Sequence, residues 1–358
     1  MTWTARLSWC YLVATLATWA LLVVASERFL PATLLAYGPR WIVGLPLLLL
    51  FPLALLAARA ALLPLTLSLL VVLWPIMGGR LSLRTAGRGR PTSPERGAMR
   101  VITLNSFGKA SVAGRLDALL ALRPDLMTFQ ECTNGLHGAL LRVPGMHVAR
   151  YHGLCTLSRW PISRVDSLPR YGRTLAESAP NRGSALALRH TVTTPGGRLV
   201  LVNVHLETAR RGLQSFMRNG GVLPDDLADL RRTTAAVARP DSTLSEGLAV
   251  NTEVRARESA RAALWALAGS DSVPVIVTGD FNLPVESTIY DRYWGDFDNA
   301  FESTGTGFGF TKREGALRIR IDHVLVNHAA PAPIGTWIGP HLGSDHLPVI
   351  ADLKWRTP

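Results

Sequence analysis

Three stretches near the N-terminus carry no charged residue: Leu7 to Ala25, Trp41 to Ala58 and Ala60 to Met77. Each is close to the roughly 17–25 apolar residues that a helix needs to cross about 30 Å of hydrocarbon. Trp9, Trp41 and Trp74 sit near the ends of these runs, where indole rings favour the headgroup zone. Arg59 alone separates the second run from the third. A guanidinium at the centre of a bilayer costs about 2.5–3.5 kcal/mol, so Arg59 marks a turn. The pattern predicts a three-helix transmembrane region over residues 1–77. A cleaved signal peptide accounts only for the first run, since two more follow; a buried hairpin of a soluble protein is the alternative for the other two. Residues 78–98, "GGRLSLRTAGRGRPTSPERGA", mix Gly, Pro and Ser with five Arg and show no apolar periodicity. They predict a flexible tether that anionic headgroups can hold.

From Met99 onward, short β-branched runs alternate with helix-like segments. "RVITLNS", "DLMTFQE", "GSALALRH", "GRLVLVNVHLE", "VPVIVTGDFN", "RIDHVLVN" and "LPVIADLKW" predict strands, and "GRLDALLALRP" and "EVRARESARAALWALAG" predict helices. Strands outnumber helices, and several neighbours have hairpin-length links. Two sheets face to face with helices outside, a four-layer α/β sandwich over residues 99–358, accommodate this better than a doubly wound parallel sheet.

Charge sharpens the division. Residues 1–98 hold nine Arg and two Glu, and so carry +7 of the net +12. The remaining 260 residues carry only +5, too little for the concentrated basic stripe of a nucleic-acid footprint. Cys10, Cys132 and Cys155 show neither paired nor zinc-like spacing, and the expectation is that no disulfide scaffold is present.

Chemically capable side chains recur where apolar strands run out: Asn105, Gln130 with Glu131, Asn203 with His205, Asp280 with Asn282, Asp322, and Asp345 with His346. Any one of these taken alone is a strand terminus meeting water. Six such sites in one chain predict that the strand ends converge on one rim. The ordered set "LN", "QE", "NVHLE", "GDFN", "RIDHVL" and "SDHLPV" resembles the endonuclease/exonuclease/phosphatase superfamily, which implies a DNase I-like sandwich and metal-dependent phosphoester hydrolysis. The three N-terminal spans resemble its membrane-anchored glycopeptide-resistance branch, which implies an outward-facing domain acting on a polyprenyl pyrophosphate.

The resemblance implies roles residue by residue. Glu131 supplies a hard oxygen ligand with Asn105 and Asp345 close by, for Mg²⁺ or else Mn²⁺, ions that keep several waters and need few protein ligands. Asp280 orients or deprotonates the attacking water, and Asn282, two residues on, donates to a phosphoryl oxygen. His346 serves the phosphate with its ring held by Asp322, and His205 is a candidate acid for the leaving group. Arg182 and Asn203 are candidates for binding substrate, Arg182 through a guanidinium fork that fits two phosphate oxygens. The chain departs from the pattern in places. Phe107 stands where some nuclease members carry Asp, Arg257 is followed by Ala260 where Gln is usual, and a long stretch between Glu207 and Glu253 far exceeds an ordinary loop of about 4–6 residues.

The expected partners are the lipid bilayer and a phosphorylated lipid such as polyprenyl pyrophosphate or a phospholipid head group, with nucleic acid the less favoured substrate. A tethered nuclease and a catalytically inactive membrane scaffold are the alternatives. Counting Arg across three spans places the domain in the cytoplasm. The branch resemblance places it outside, and the outside is preferred because earlier helices can fix topology ahead of the tether.

Overall fold

The computed structural model describes residues 3–57, 59–83, 91–106, 115–170, 185–210, 244–268 and 273–356. Helix α1 (Trp3–Ala25) leads to the short α2 (Leu30–Tyr37), and a 3-10 turn (Arg40–Gly44) opens α3 (Leu45–Ala57). A second turn (Arg59–Ala61) leads into α4 (Leu62–Val71), which ends in a π turn (Val72–Ile76). Trp3–Ala25 and Arg59–Ile76 are each long and apolar enough to cross a membrane. Leu30–Tyr37 with Arg40–Leu56 makes a third candidate if this pair, bent by 102°, counts as one span.

Small side chains are among the buried positions of these helices, and large aliphatic ones are among the exposed. Ala5, Ser8, Ala36, Ala54, Ala61 and Ser68 are buried, while Val13, Leu48, Leu49, Leu55, Leu56 and Leu63 are exposed. The hydroxyls of Ser8, Thr15 and Ser68 donate to carbonyls of their own helix, those of Thr4, Leu12 and Pro64. Small residues let helix backbones approach closely in lipid, and an outer coat of large aliphatic side chains suits hydrocarbon and not water.

The remainder is an α/β sandwich of two packed sheets. One has the order β13-β14-β1-β2-β4-β3, formed by β1 (Ala98–Asn105), β2 (Leu126–Gln130), β3 (His147–Tyr151), β4 (Leu154–Ser158), β13 (Ala332–Ile338) and β14 (Val349–Lys354). The other has the order β5-β6-β7-β8-β12-β9, formed by β5 (Ile162–Pro169), β6 (Ala185–Thr194), β7 (Gly197–His205), β8 (Val275–Asp280), β9 (Asp298–Asn299) and β12 (Asp322–Val326). A separate hairpin joins β10 (Lys312–Glu314) to β11 (Leu317–Ile319). Helices α5 (Leu116–Leu120) and α6 (Asn134–Leu140) pack on the first sheet, and α7 (Leu244–Leu267) and α8 (Thr288–Trp294) on the second; α9 (Ala300–Thr304) follows β9.

Neighbouring residues of one strand serve different layers. Val101 and Ile276 join the core between the sheets, whereas Ile102 and Val277 join the cores under the helices. That alternation is how a sheet covered on both faces reads as a continuous apolar run. The space between the sheets also holds polar pairs: Thr128 and Thr278 hydroxyls lie 2.8 Å apart, Gln130 Nε2 donates to Asn203 Oδ1 at 2.6 Å, and His190 Nε2 lies 2.8 Å from Thr156 Oγ1.

One expectation is corrected: Cys132 and Cys155 form a disulfide, 23 residues apart in sequence. Spacing hides their proximity because β2 and β4 are ladder neighbours, with Phe129 opposite Cys155. Glu131 then turns the chain with a left-handed φ of 51°, which carries Cys132 back over β4.

The apolar helices and the sandwich are joined by buried charge. Glu27, just past α1, accepts from Tyr37 Oη at 2.8 Å, from the backbone N–H and hydroxyl of Thr288, and from the Ser287 hydroxyl. Arg255 of α7 reaches the same carboxylate at 3.8 Å and stacks on Tyr37 at 4.9 Å. Nearby, Arg40 pairs with Glu286 at 2.8 Å, and Trp41 Nε1 donates to Ala316 O at 3.2 Å. Arg80, in the stretch expected as a tether, forms a backbone bridge with Gly307 and pairs with Glu302. Removing one partner of a buried ion pair costs about 3–5 kcal/mol because the other charge is stranded. Glu27→Ala is therefore expected to lower the melting temperature of the detergent-solubilised full chain markedly. Asp166→Ala, at an exposed pair with Arg164, is expected to leave it nearly unmoved; equal melting of Glu27→Ala and the parent chain would contradict the role given to Glu27.

Candidate active site

Three adjacent strands of the second sheet end level with one another. His205 of β7 is the ladder partner of Asp280 of β8, and Asp280 is the partner of Asp322 of β12. The strand requires glycine next to this row: Gly279 of β8 has φ 142°, and a Cβ there would lie 2.0 Å from Val204 O. Across the sandwich, Asn105 of β1 lies opposite Gln130 of β2, and Glu131 follows.

At the open rim the Asn105 amide joins the two sheets. Asn105 Nδ2 donates to Asp280 Oδ2 at 2.9 Å and to Glu131 Oε1 at 3.3 Å. His205 Nε2 lies 3.8 Å from Asp280 Oδ2 and 4.0 Å from Glu131 Oε1. His346 Nε2 approaches Asp280 Oδ2 to 3.8 Å, while its Nδ1 bonds Asp322 Oδ2 at 2.8 Å. Asn105, Glu131, His205, Asp280, Asp322 and His346 thus form one contiguous set.

Lys312, which the sequence pattern does not single out, completes the centre. Its Nζ lies 2.6 Å from Asp345 Oδ2 and 3.2 Å from His346 Nε2, and its strand bridges His346. In sequence, "TKREG" reads as a solvated turn; only the bridge to residue 346 gives the lysine its place. Asn203 does not reach the open face. It is fully buried, and its amide donates to Phe129 O and Cys155 O, tying the two sheets together. Asn282 does not continue the strand of Asp280: it has φ 51°, its N–H donates to Asp280 Oδ1, and its amide donates to Leu206 O. It therefore fixes the Asp280 carboxylate as an Asx-turn. Arg182 and Phe107 lie outside the described residues.

Electrostatics sort the ionisable groups. Burial raises the Asp280 carboxyl well above its usual range, and the Asp322 charge adds to this against the pull of His346, Asn105 and Lys312. Burial opposes the charged form of His346, but Asp322 and Asp280 outweigh it and hold the ring protonated above its usual range. Burial likewise opposes ionisation of Asp345, and His346 and Lys312 outweigh it, so its carboxyl stays below the ordinary value. The centre thus pairs a carboxylate poised to accept a proton with an imidazolium poised to donate.

One cluster of three side chains among the described residues could hold a metal ion. Asp280, Asp322 and His346 offer ligand atoms within 4.8 Å of one another, but Asp322 and the His346 ring already satisfy each other. Glu131 is the more open carboxylate, its side chain 20% exposed against 2% for Asp280. Asp345 Oδ1 is buried and has no hydrogen-bond partner among the described residues. Glu131 and Asp345 each offer a hard oxygen of the kind that a hydrated divalent cation takes.

The model of the endonuclease/exonuclease/phosphatase family matches residues 102–346. The chain belongs to this family. Its members are hydrolases of phosphoester bonds, and the matched span runs from β1 through His346. Three solved structures are similar to the family domain. Humanized D. rerio TDP2 is 17% identical, with a TM-score of 0.49, covering 72% of this chain and 99% of its own. Sphingomyelinase C from Streptomyces griseocarneus is 17% identical, with a TM-score of 0.47 and the same coverages. The 3' phosphatase NExo from Neisseria, bound to product DNA hairpin, is 18% identical, with a TM-score of 0.45, covering 72% of this chain and all of its own. A comparison with curated protein sequences finds no match.

Two variants probe the family chemistry. Lys312→Met is expected to lower kcat for phosphoester hydrolysis by about 10²–10³-fold, the range for one preorganised donor to developing charge, with melting unchanged; full activity would remove Lys312 from the centre. Asp322→Asn deletes the charge that holds His346 protonated. The alkaline limb of the kcat/KM profile is then expected to move to lower pH, and an unmoved limb would contradict the pairing.

Proposed function

We propose that the protein is a membrane-anchored, divalent-metal-dependent phosphohydrolase whose substrate is a lipid phosphate presented at the bilayer surface. The observation that carries this reading is the β10–β11 hairpin. Lys312 on one strand contacts Asp345 and His346, while Ile319, its ladder partner on the other strand, belongs to the apolar cluster of Ala36, Leu65 and Ile76 from the helices, and Trp41 bonds Ala316 at the tip. A site held this close to the spans meets lipid substrates in two dimensions, which raises their effective concentration.

Each side chain has a task in such a reaction. Asp280, positioned by Asn105 and the Asn282 N–H, accepts a proton from the attacking water. His346, charged because Asp322 and Asp280 surround it, donates to a phosphoryl oxygen as negative charge develops there. Lys312 lies beside that imidazolium and adds positive charge toward the same oxygens. His205, 4.0 Å or less from both Glu131 and Asp280, faces the leaving group. Glu131, Asn105 and Asp345 would hold the metal, Mg²⁺ by their hardness or Mn²⁺ as its substitute, and the ion when bound supplies charge stabilisation to the phosphoryl group.

The Cys132–Cys155 disulfide supports an outward-facing domain, because such bonds persist in oxidising compartments and are rare in the cytosol. The arginine count across the spans favours the opposite side. Alkylation of the freshly denatured protein without reductant distinguishes them: the account expects Cys132 and Cys155 protected and Cys10 alone labelled, whereas labelling of all three would place the domain inside.

The activity test uses the full chain in detergent with a polyprenyl diphosphate and Mg²⁺. Phosphate release is expected to depend on the metal and to fall by at least about 10²-fold in Asp280→Ala and in His346→Ala. Equal release by parent and variants would end the reading. Cleavage of oligonucleotide with a steep salt dependence would favour a tethered nuclease instead.

A further inference from the structure

A cavity of about 220 Å³ lies at the seam between the apolar helices and the sandwich. One wall comes from the span ends, Arg40, Trp41 and Met77; the other comes from Phe308, Phe310 and Arg318 of the catalytic part. Resting on the lipid-phosphate reading above, we propose that this cavity is a lipid-binding subsite that seats the hydrocarbon nearest the phosphate of a single-chain lipid phosphate.

Position argues first. Trp41 and Met77 stand where α3 begins and the α4 stretch ends, so the cavity lies at the level where the spans reach the membrane surface. Phe310 and Lys312 are two residues apart, about 7 Å of extended chain. A chain seated on Phe310 therefore ends beside the lysine that contacts Asp345 and His346.

Surface chemistry argues second. Phe308 and Phe310 stack at 5.3 Å with their planes 10° apart, and with Trp41 and Met77 they make an apolar floor. The loop is built to hold that pair: Gly309 has φ 64°, and a Cβ there would meet Phe301 at 2.4 Å. The cations at the rim differ in what they have left to offer. Arg40 is taken by Glu286 and the carbonyls of Ala36 and Ile76, and Arg320 by Glu302 and Phe301. Arg318 is exposed, donates only to the carbonyls of Gly315 and Leu317, and pairs with no carboxylate among the described residues. It is the charge at this rim available to an anionic head group.

Size argues third. The volume is below the roughly 300–1,000 Å³ of pockets that enclose a whole drug-sized ligand, so the cavity takes the first part of one chain and leaves the rest in the bilayer. Two acyl chains on one glycerol do not fit it.

The experiment uses the full chain in nanodiscs with a polyprenyl diphosphate carrying a diazirine on the isoprene unit nearest the phosphate. Photolysis is expected to label Trp41, Phe308 or Phe310; labelling confined to the outward residues Leu48, Leu49 and Leu56 overturns the proposal. In Phe308→Ala and in Arg318→Gln, the ratio of kcat/KM for polyprenyl diphosphate to that for bis(p-nitrophenyl) phosphate is expected to fall by about 10-fold or more, the scale of a lost pocket contact. An unchanged ratio in both variants also overturns it. The two readings fail separately: labelling at the cavity without phosphate release supports the subsite and removes the lipid hydrolase, whereas phosphate release with labelling only elsewhere does the reverse.

Discussion

Two carboxylates face each other across an antiparallel ladder at the heart of this protein. Asp280 and Asp322 are direct partners of β8 and β12, and each is almost wholly buried. Like charges directly opposite destabilise a sheet, and burial makes each ionised oxygen costlier still. The arrangement persists because His346 and Lys312 bring positive charge against it from a different sheet and from the hairpin. Every other feature of the centre follows from that balance. The proton affinity of Asp280 is raised, His346 is held charged, and Asn105 bridges to Glu131 so that the acidic rim continues across the sandwich.

The same economy joins the helices to the sandwich. Glu27 and Arg40 sit beyond the ends of hydrocarbon-coated helices, yet each is paired with a charge that belongs to the catalytic part. Buried pairs of this kind gain little stability relative to apolar contacts, but they fix orientation. Here they set the face of the sandwich that carries the β10–β11 hairpin against the helices. The path from the apolar helices to the centre is therefore one of a few residues: Trp41 to Ala316, along the hairpin to Lys312, and from Lys312 to His346.

Much of this was legible in the sequence because strand ends carry their own signature. An apolar run that stops at Asn105, Glu131 or Asp280, or starts at Asp322, announces a strand terminus with a polar side chain, and the sheets place those termini side by side. What was not legible depended on contacts distant in sequence. Lys312 stands in a charged turn, and nothing local ties it to residue 346. Cys132 and Cys155 meet only because β2 and β4 pair. Asn203 sits at a strand end like the others, but it faces between the sheets, and a one-residue difference in facing turns a candidate ligand into an internal tie. Glu27 has no local signature either, since its partners Arg255, Ser287 and Thr288 lie more than two hundred residues away.

The central claim is that Glu131, Asn105 and Asp345, drawn from separate strand ends, surround one divalent cation beside the Asp280–His346 pair. Calorimetric titration of Mn²⁺ into the full chain in detergent tests it most directly. The account predicts one ion per chain, bound more weakly in Glu131→Gln by more than the roughly 10–100-fold that outer partners of a metal site carry. Unaltered affinity in that variant, or no binding by the parent chain, would contradict it.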